Sequence, residues 1–416
     1  MSGIGGILHL DGSPVAESDL LSIQKALLHR GPDRQEIWKQ GCIGLVHNHL
    51  EIDPEARQPY TDGPVTLAVD GRIDNRPTLI RRLKDLPAGA GAPEVIARGY
   101  RAKGERLMPL LLGDFALALW DAGSQRLLLA RDPIGVKPLF YYQDEKRLIF
   151  ASEAKAILAV PGVPCAADEV RWSEFDRLRF RSVERTFFAG IRRLAPGQSL
   201  TVSGAKIERR VFWQPNPKRK IVLPNRDAYR RRFRELFIEA VRCRLPQSGP
   251  VALRLSGGLD SSAIAGACGR IRDKERSSLS LLAISILTDL MPDERGYIKQ
   301  VCDAFGLESL SFLGEEIQLL NSLDTALYYQ ESPFFDVMDM WLLHQYELSS
   351  RRGAKVVLGG DWGDQVMGSG IYVLDLFREG RWAQAWREFK LYPRHEGGTS
   401  LELLKHLFWY FILPAR

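Results

Sequence analysis

Apolar and polar residues alternate in two different ways along this chain of 416 residues. The first two hundred residues carry short β-rich runs bounded by Gly, Asp or Pro, which predict strands. Helical periodicity is limited there to residues 17–28 and 94–102. The predicted strands are Val65–Val69, Ala116–Trp120, Arg126–Ala130, Leu139–Tyr142 and Leu148–Ala151.

Beyond residue 226, predicted helices alternate with strands that are almost wholly apolar. Such alternation is typical of a parallel sheet covered on both faces. The helices are expected at residues 226–244, 261–272 and 293–305, the strands at 251–255, 280–287 and 355–358, and further helix in the aromatic-rich stretch 371–416.

Length and composition favour two domains. A chain of 46.9 kDa is too long for one compact core. Residues 213–226 are basic, poor in apolar residues and punctuated by three prolines, which predicts a linker. We therefore expect a first domain at 1–212, a linker at 213–226 and a second domain at 227–416.

Charge and cysteine content narrow the cellular setting. The net charge of +6 is spread along the chain, which argues against a nucleic-acid partner. No apolar run reaches the ~20 residues of a membrane span. The N-terminus lacks the features of a signal peptide. The five cysteines are scattered and odd in number, so we expect a soluble cytoplasmic protein.

A glycine- and serine-rich run, Ser256-Gly257-Gly258-Leu259-Asp260-Ser261-Ser262, lies between a predicted strand and a predicted helix. Successive backbone N–H groups at a helix N-terminus bind anions. An ordinary helix-capping turn is the alternative. The run resembles the PP-loop of ATP-pyrophosphatases, which implies that the chain binds ATP, activates a carboxylate as an acyl-adenylate and releases pyrophosphate.

A second cluster, Gly359-Gly360-Asp361-Trp362-Gly363-Asp364-Gln365, follows the strand that ends at Leu358. It resembles the Ser-Gly-Glu-Gly-Ala-Asp-Glu stretch of asparagine synthetases. This implies that Gly359 and Gly360 lie along the nucleotide, that Asp364 binds a metal and that Asp361 replaces a family Glu. With Asp260, Asp364 would hold Mg²⁺ beside the phosphates. An aspartate in an ordinary turn is the alternative for Asp364.

These two resemblances give the candidate site. Asp260, Asp361 and Asp364 are the candidate catalytic residues, and Asp260 and Asp364 the candidate metal ligands. The residues expected to bind ATP are Leu253, Ser256, Gly257, Gly258, Leu259, Asp260, Ser261, Ser262, Ile284, Gly359 and Gly360. Ile284 is equally compatible with a plain core position. Arg254, a charge within an apolar strand, either pairs with a carboxylate or points at the substrate.

The first half of the chain carries a second set of motifs. They are His29-Arg30-Gly31-Pro32-Asp33, Arg131-Asp132-Pro133-Ile134-Gly135-Val136-Lys137-Pro138 and Ala151-Ser152-Glu153-Ala154-Lys155. They resemble the class II glutamine amidotransferase domain of asparagine synthetase. The resemblance implies an Ntn-type αββα domain followed by an α/β PP-loop ATP-pyrophosphatase domain with a parallel sheet.

The residues of glutamine hydrolysis do not match this family. Ser2 stands where the family has its nucleophilic cysteine, His49 where an arginine binds the glutamine carboxylate, and Ala92 where an aspartate is expected. The family's Asn-Gly-Glu reads Asp70-Gly71-Arg72, and reversing a contact charge changes an attraction of up to ~4 kcal/mol into a repulsion. We expect no glutaminase activity. His47 and His49 suggest a metal pair only weakly, because no third ligand is in view.

An asparagine synthetase fold without a glutaminase resembles β-lactam synthetase and the cyclases of lasso peptides. This implies an ATP- and Mg²⁺-dependent C–N ligase, here expected to close the macrolactam ring of a lasso peptide precursor. Its expected partners are that peptide, a leader peptidase and a leader-binding protein. Asparagine synthesis from free ammonia is one alternative. A non-catalytic ATP-binding subunit is another, because the lysine segment at the C-terminal end of the family's synthetase domain is not found before Arg416. The chain would then be a fragment or a shortened member of the family.

Overall fold

A computed structural model of the chain describes residues 1–54, 56–83, 86–204, 206–275, 278–289, 293–317, 322–333, 338–361, 363 and 372–395. Packing divides them into two compact units. The first contains the described residues of Met1–Pro246 and Gln318–Leu343, and the second those of Gln247–Ile317 and His344–Arg416. Within these ranges, no helix is both long and apolar enough to cross a membrane.

Two antiparallel six-stranded sheets form the centre of the first unit. In spatial order, one contains β10 (Arg192–Arg193), β8 (Phe140–Gln143), β9 (Arg147–Ala151), β1 (Gly3–His9), β3 (Ile43–His49) and β2 (Arg34–Gln40). The other contains β12 (Lys206–Val211), β11 (Gln198–Ser203), β7 (Arg126–Arg131), β6 (Gly113–Asp121), β5 (Val65–Ile73) and β4 (Tyr60–Asp62).

Helices cover the outer face of each sheet. One apolar cluster that includes Ile4, Ala68 and Phe150 joins residues of both sheets. Helices α1 (Glu17–Ala26) and α4 (Ala154–Leu158) pack on the first sheet, and α2 (Arg76–Arg82) and α3 (Ala92–Lys103) on the second. The predicted αββα layering is therefore confirmed. The unit also contains α5 (Glu169–Asp176), α6 (Arg226–Arg242), α9 (Leu323–Gln330) and a 3₁₀ turn at Gly104–Leu110.

The hydrophobic pattern does not predict β1, because three of its seven residues are glycine. Close packing explains them. A Cβ atom on Gly5 would lie 2.5 Å from Ile23, and one on Gly6 would lie 2.3 Å from the Gly44 carbonyl oxygen. Side chains that favour strands would not fit between these neighbours, so tertiary packing overrides local propensity here.

Residues 213–225 form neither helix nor strand and are mostly exposed, as a linker would be. Helix α6 follows them but packs with the first unit, although the sequence places it in the second domain. Arg244, just beyond α6, pairs with Asp114 of β6 at 3.2 Å.

The second unit contains a four-stranded parallel sheet, which confirms the predicted α/β class. Its spatial order is β15 (Glu308–Leu313), β14 (Leu279–Leu287), β13 (Gly249–Arg254) and β16 (Val356–Leu358). Because β13 and β16 are parallel neighbours, the loops that follow them leave the same edge of the sheet.

Helices α7 (Leu259–Glu275) and α8 (Arg295–Phe305) belong to this unit. They pack closely because Gly266 and Gly269 face the ring of Phe305. The unit also contains a 3₁₀ turn at Gly314–Glu316 and the C-terminal half of α10 (Met338–Arg351). Helices α11 (Tyr372–Arg378) and α12 (Trp382–His395) confirm part of the predicted helical stretch, and 396–416 lie outside the described residues.

Candidate functional site

The glycine- and serine-rich run joins the carboxyl end of β13 to the first turn of α7. Gly257 has φ +84°, a conformation that favours glycine, and a Cβ atom there would lie 2.9 Å from Cβ of Tyr297. Leu259 is 89% exposed. The loop thus has the strand–turn–helix geometry that an anion-binding nest requires.

The three serines of this loop differ in their hydrogen bonds. Ser261 Oγ accepts the backbone N–H of Ser256 at 3.2 Å and lies 3.0 Å from Ser256 Oγ. Ser256 Oγ in turn accepts the N–H of Gly258 at 3.3 Å. Ser262 Oγ is buried and has no hydrogen-bond partner in the described part of the chain. Ser256 and Ser261 therefore shape the loop, whereas the buried hydroxyl of Ser262 has no such role among the described residues.

Asp260 lies against the loop that follows β16. A Cβ atom on Gly360 would be 2.9 Å from Cβ of Asp260, and one on Gly363 would be 1.9 Å from its Oδ2. No side chain larger than hydrogen fits at either glycine without moving Asp260. The structure therefore brings together two of the loops that the sequence singled out.

The metal prediction is only partly located. Asp364, its second ligand, lies outside the described residues. Among the residues that the structure does describe, no group of three His, Cys, Asp or Glu side chains is arranged to hold a metal ion. The Asp260–Asp364 pair stays a prediction.

Arg254 is paired with a carboxylate, which resolves the two alternatives left by the sequence. Its Nη1 and Nη2 donate to Oδ2 and Oδ1 of Asp361 at 2.5 and 2.9 Å. Its Nε donates to Oε1 of buried Gln345 at 3.0 Å. The Asp361 carboxylate, a candidate catalytic group, is thus held by a guanidinium at the end of β13, and Gly359 packs against both side chains.

Leu253 and Ile284, expected to bind ATP, lie inside the sheet. Both side chains are buried, and Ile284 belongs to the apolar core of the unit. The Ile284 carbonyl accepts the N–H of Leu255 at 3.1 Å and Nε2 of Gln345 at 3.3 Å. The next residue, Ser285, is fully buried, and its Oγ has no hydrogen-bond partner among the described residues.

In the first unit, a network of buried charges contains the residues aligned with the glutaminase site. Arg30 donates to Asp70 at 2.9 Å, to Glu153 at 3.0 Å and to the Ser2 carbonyl at 2.9 Å. Lys137 Nζ lies 3.2 Å from the other oxygen of Asp70. Burial alone would raise the pKa of Asp70, but Lys137 and Arg30 outweigh it and lower that pKa.

Asp132 presents Lys137 to this network. Its carboxylate accepts the backbone N–H groups of Gly135 and Lys137 at 2.6 and 2.9 Å. Ile134 and Val136 donate to it as well, both at 3.0 Å. One fully buried carboxylate therefore fixes the turn that carries the lysine.

Glu153 forms the other end of the network. It lies 3.0 Å from His29 Nε2 and 2.7 Å from Lys155 Nζ. Burial raises the pKa of Glu153, but the hydrogen bond from His29 and the charges of Arg30 and Lys155 lower it to about 2. The carboxylate is therefore ionised at all ordinary pH values.

Arg72 does not present a bare positive charge, so the repulsion expected from the sequence is compensated. Its Nε lies 2.8 Å from Asp74, and its Nη2 lies 2.6 Å from Asp114. Ser2 Oγ accepts the N–H of Leu50 at 3.1 Å, and Ala92 is buried at the start of α3. The evidence against glutamine hydrolysis is therefore Asp70, whose carboxylate is already paired with Arg30 and Lys137, rather than the charge of Arg72.

The comparisons with known proteins cover both halves of the chain. Residues 1–213 match the family model described as a glutamine amidotransferase domain, and residues 232–408 match the model described as asparagine synthase. The chain belongs to the asparagine synthase family.

Several relatives are similar to this asparagine synthase family member along most of its length. It is 28% identical over 402 residues to amidase chry2 of Gibberella zeae, covering 88% of this chain and 59% of that one. It is 28% identical to the glutamine-hydrolyzing asparagine synthetase 3 of Bacillus subtilis, covering 88% and 63%. The corresponding synthetase 2 of Arabidopsis thaliana is 28% identical, covering 89% and 61%. The chain thus spans about three fifths of these relatives.

Some of the residues that organise the two sites of this family member could not be recognised from the sequence. Gln345 gives no signal, because it is one glutamine in α10, 91 positions from its partner Arg254. Arg30, Lys137 and Glu153 stand within the motifs that match the family, but their mutual pairing follows only from the fold. His47 is buried, which lowers its pKa to about 4 and keeps the ring neutral.

Proposed function

We propose that the chain is an ATP-dependent amide-bond-forming ligase that closes the macrolactam ring of a lasso peptide precursor. One contrast carries the proposal. The second unit retains the strand–loop–helix geometry of a phosphate site, while the aligned glutamine site of the first unit is occupied by the paired charges of Arg30, Asp70 and Lys137. The amine must therefore come from somewhere other than glutamine.

The described residues fit a nucleotide triphosphate and a divalent cation. Backbone N–H groups at Gly257–Ser261 and the unpartnered hydroxyl of Ser262 would bind the phosphates. Asp260 makes no ion pair within the described chain and would bind Mg²⁺ through oxygen. When bound, ATP supplies the leaving group that makes a carboxylate reactive toward amines.

Glutamine hydrolysis needs a hydrogen-bond donor where negative charge develops. Asp70 offers only acceptor oxygens, and both of them are bonded to cations. A peptide that carries both its carboxylate and its own N-terminal amine needs no ammonia. Holding the two groups together also replaces a bimolecular step by an intramolecular one, with effective molarities of roughly 10⁵–10⁸ M in favourable geometries.

A second candidate is asparagine synthesis from free ammonia. It is favoured by the printed names of the Bacillus subtilis and Arabidopsis thaliana relatives, which are asparagine synthetases. Both candidates share the same activation of a side-chain carboxylate. They differ in the molecule that carries the carboxylate, a peptide or free aspartate, and in the attacking amine.

The deciding experiment gives the full chain ATP and Mg²⁺ with one substrate at a time. The substrates are a leader-free precursor peptide, the same peptide acetylated at its N-terminus, the same peptide with its acceptor Asp or Glu changed to the amide, and aspartate with ammonium. We expect pyrophosphate release only with the two peptides that keep the acceptor carboxylate, and a product lighter by one water only with the peptide whose N-terminal amine is also free. Release with aspartate and ammonium, and none with the peptide, would establish the second candidate.

Binding of ATP without pyrophosphate release from any substrate would instead favour a non-catalytic binding subunit.

The proposed partners are a peptidase that removes the leader and a protein that binds it. Adding those two proteins to the full-length precursor should restore ring closure, because the free N-terminal amine appears only after cleavage.

A further inference from the structure

A cavity of about 220 Å³ lies in the first unit, and its lining contains none of the residues aligned with glutamine chemistry. Three arginines and five phenylalanines make up most of its walls. Cavities with apolar walls and a few convergent polar groups are the usual form of small-molecule sites. One of the three arginine side chains has no ion-pair partner among the described residues.

Two of the three arginines already have carboxylate partners. Arg185 lies 2.6 Å from Asp168, and Arg171 lies 3.2 Å from Glu174. The guanidinium of Arg193 has no hydrogen bond or ion pair to any residue that the structure describes. It lies over the ring of Phe140, 5.3 Å from the centroid. Burial, and then the charge of Arg171, lower the pKa of Arg193, and the charge of Glu331 offsets them only in part.

Glu331, also in the lining, attracts Arg193 electrostatically but makes no ion pair or hydrogen bond with it. Its carboxylate accepts the backbone N–H groups of Ala154 and Lys155 at 2.7 and 2.6 Å. Lys155 Nζ lies a further 3.6 Å from it. Burial raises the pKa of Glu331. Its oxygens are committed, so an anion from solution is the natural partner of Arg193.

The aromatic walls specify the rest of the ligand. Phe187 makes edge-to-face contacts with Trp172 and Phe175, with centroids 4.9 and 5.8 Å apart. These rings already pack against one another, and the phenylalanine faces that line the cavity favour an apolar, preferably aromatic, group of the ligand. The volume lies below the ~300–1,000 Å³ of sites for drug-sized ligands, which limits the ligand to about one ring and a short chain.

We propose that this cavity binds a small aromatic carboxylate, whose acid group pairs with Arg193 and whose ring packs among the phenylalanines. The cavity lies in the first unit, whereas the glycine-serine loop lies in the second. Inorganic phosphate would satisfy Arg193 but would leave the aromatic walls without a partner.

Isothermal titration of the full chain with phenylacetate tests the site. We expect saturable binding of phenylacetate, and weaker or no binding of neutral phenylacetamide and of inorganic phosphate. Arg193→Gln should weaken phenylacetate binding by about tenfold or more, since hydrogen bonds to charged groups contribute that much. Arg192→Gln removes the same charge from an exposed neighbour on β10 and should leave the affinity unchanged.

Equal phenylacetate affinity in Arg193→Gln and the unmodified chain would overturn the proposal, as would the absence of binding. Circular dichroism establishes whether the variant is folded. If it is not, the comparison of phenylacetate with phenylacetamide on the unmodified chain decides: equal affinities exclude a site built around the acid group.

Discussion

The guanidinium of Arg254 donates two hydrogen bonds to the carboxylate of Asp361, which lies 107 residues further along the sequence. The pair joins the end of β13 to the loop after β16, and Gln345 supports the guanidinium from α10. The position of the loop after β16 therefore depends on a charge in a strand that is otherwise apolar.

The two partners of this pair should differ in their effect on stability. Asp361 is half exposed, so Asp361→Asn should lower the free energy of unfolding by about 1 kcal/mol or less. Arg254→Met leaves the oxygen of buried Gln345 without a donor and should lower it by about 1–3 kcal/mol. Urea unfolding of both variants measures the difference. Equal losses would contradict a supporting role for Gln345.

Asp260 should be required for pyrophosphate release. Asp260→Asn removes the carboxylate proposed to hold Mg²⁺ and should lower release by at least about a hundredfold, since removing charge stabilisation at a reacting phosphate costs this much or more. Asp273→Asn is a matched control on the same helix, because Asp273 is exposed and its sole ion-pair partner among the described residues is the neighbouring Arg272. Magnesium-dependent ATP binding, measured by calorimetry, should weaken in the first variant alone.

Gly257 should tolerate no side chain. Gly257→Ala combines a positive φ with a contact of 2.9 Å to Tyr297, and we expect it to destabilise the chain by about 1–3 kcal/mol and to abolish ATP binding. Gly249→Ala has a positive φ as well, but no atom lies within 4 Å of its new Cβ. That control should lose some stability and bind ATP normally. Normal ATP binding by Gly257→Ala would count against the phosphate site.

Stability should fall at acid pH because of Glu153. Its pKa is about 2 in the folded chain, against an ordinary value of 4.5, so the unfolded chain binds a proton more readily. This contribution is complete above pH 4.5 and is lost as the pH falls toward 2, on the order of 3 kcal/mol in all. Glu153→Gln should reduce the slope of unfolding free energy against pH in that window. Exposed Glu169→Gln should leave the slope unchanged, and an unaltered slope in Glu153→Gln would refute the assignment.

The parallel α/β unit and the strand–turn–helix geometry of the glycine-serine loop could be predicted because their signals are local, whereas the αββα layering was implied by the family resemblance. An apolar strand, a glycine-serine turn and a helix follow one another directly around Asp260. Pairings between distant residues could not be predicted. The sequence shows that Arg254 is out of place in its strand, but not that Asp361 and Gln345 meet it. Strand β1 could not be predicted for a related reason. Its glycines are needed because they pack closely against Ile23 and Gly44, which are distant in the sequence.

The charge network of the first unit also restricts how this lineage can change. A cysteine at position 2 would leave Asp70 where a donor belongs, and Asp70→Asn alone would leave Lys137 beside a neutral amide, while Arg30 would keep only Glu153 as its charged partner. Removing one partner of such a buried pair typically costs about 3–5 kcal/mol, a large part of a typical domain's stability. A variant with the family's asparagine at position 70 would therefore lose stability before it gained a glutamine site, which restricts the order in which such substitutions could accumulate.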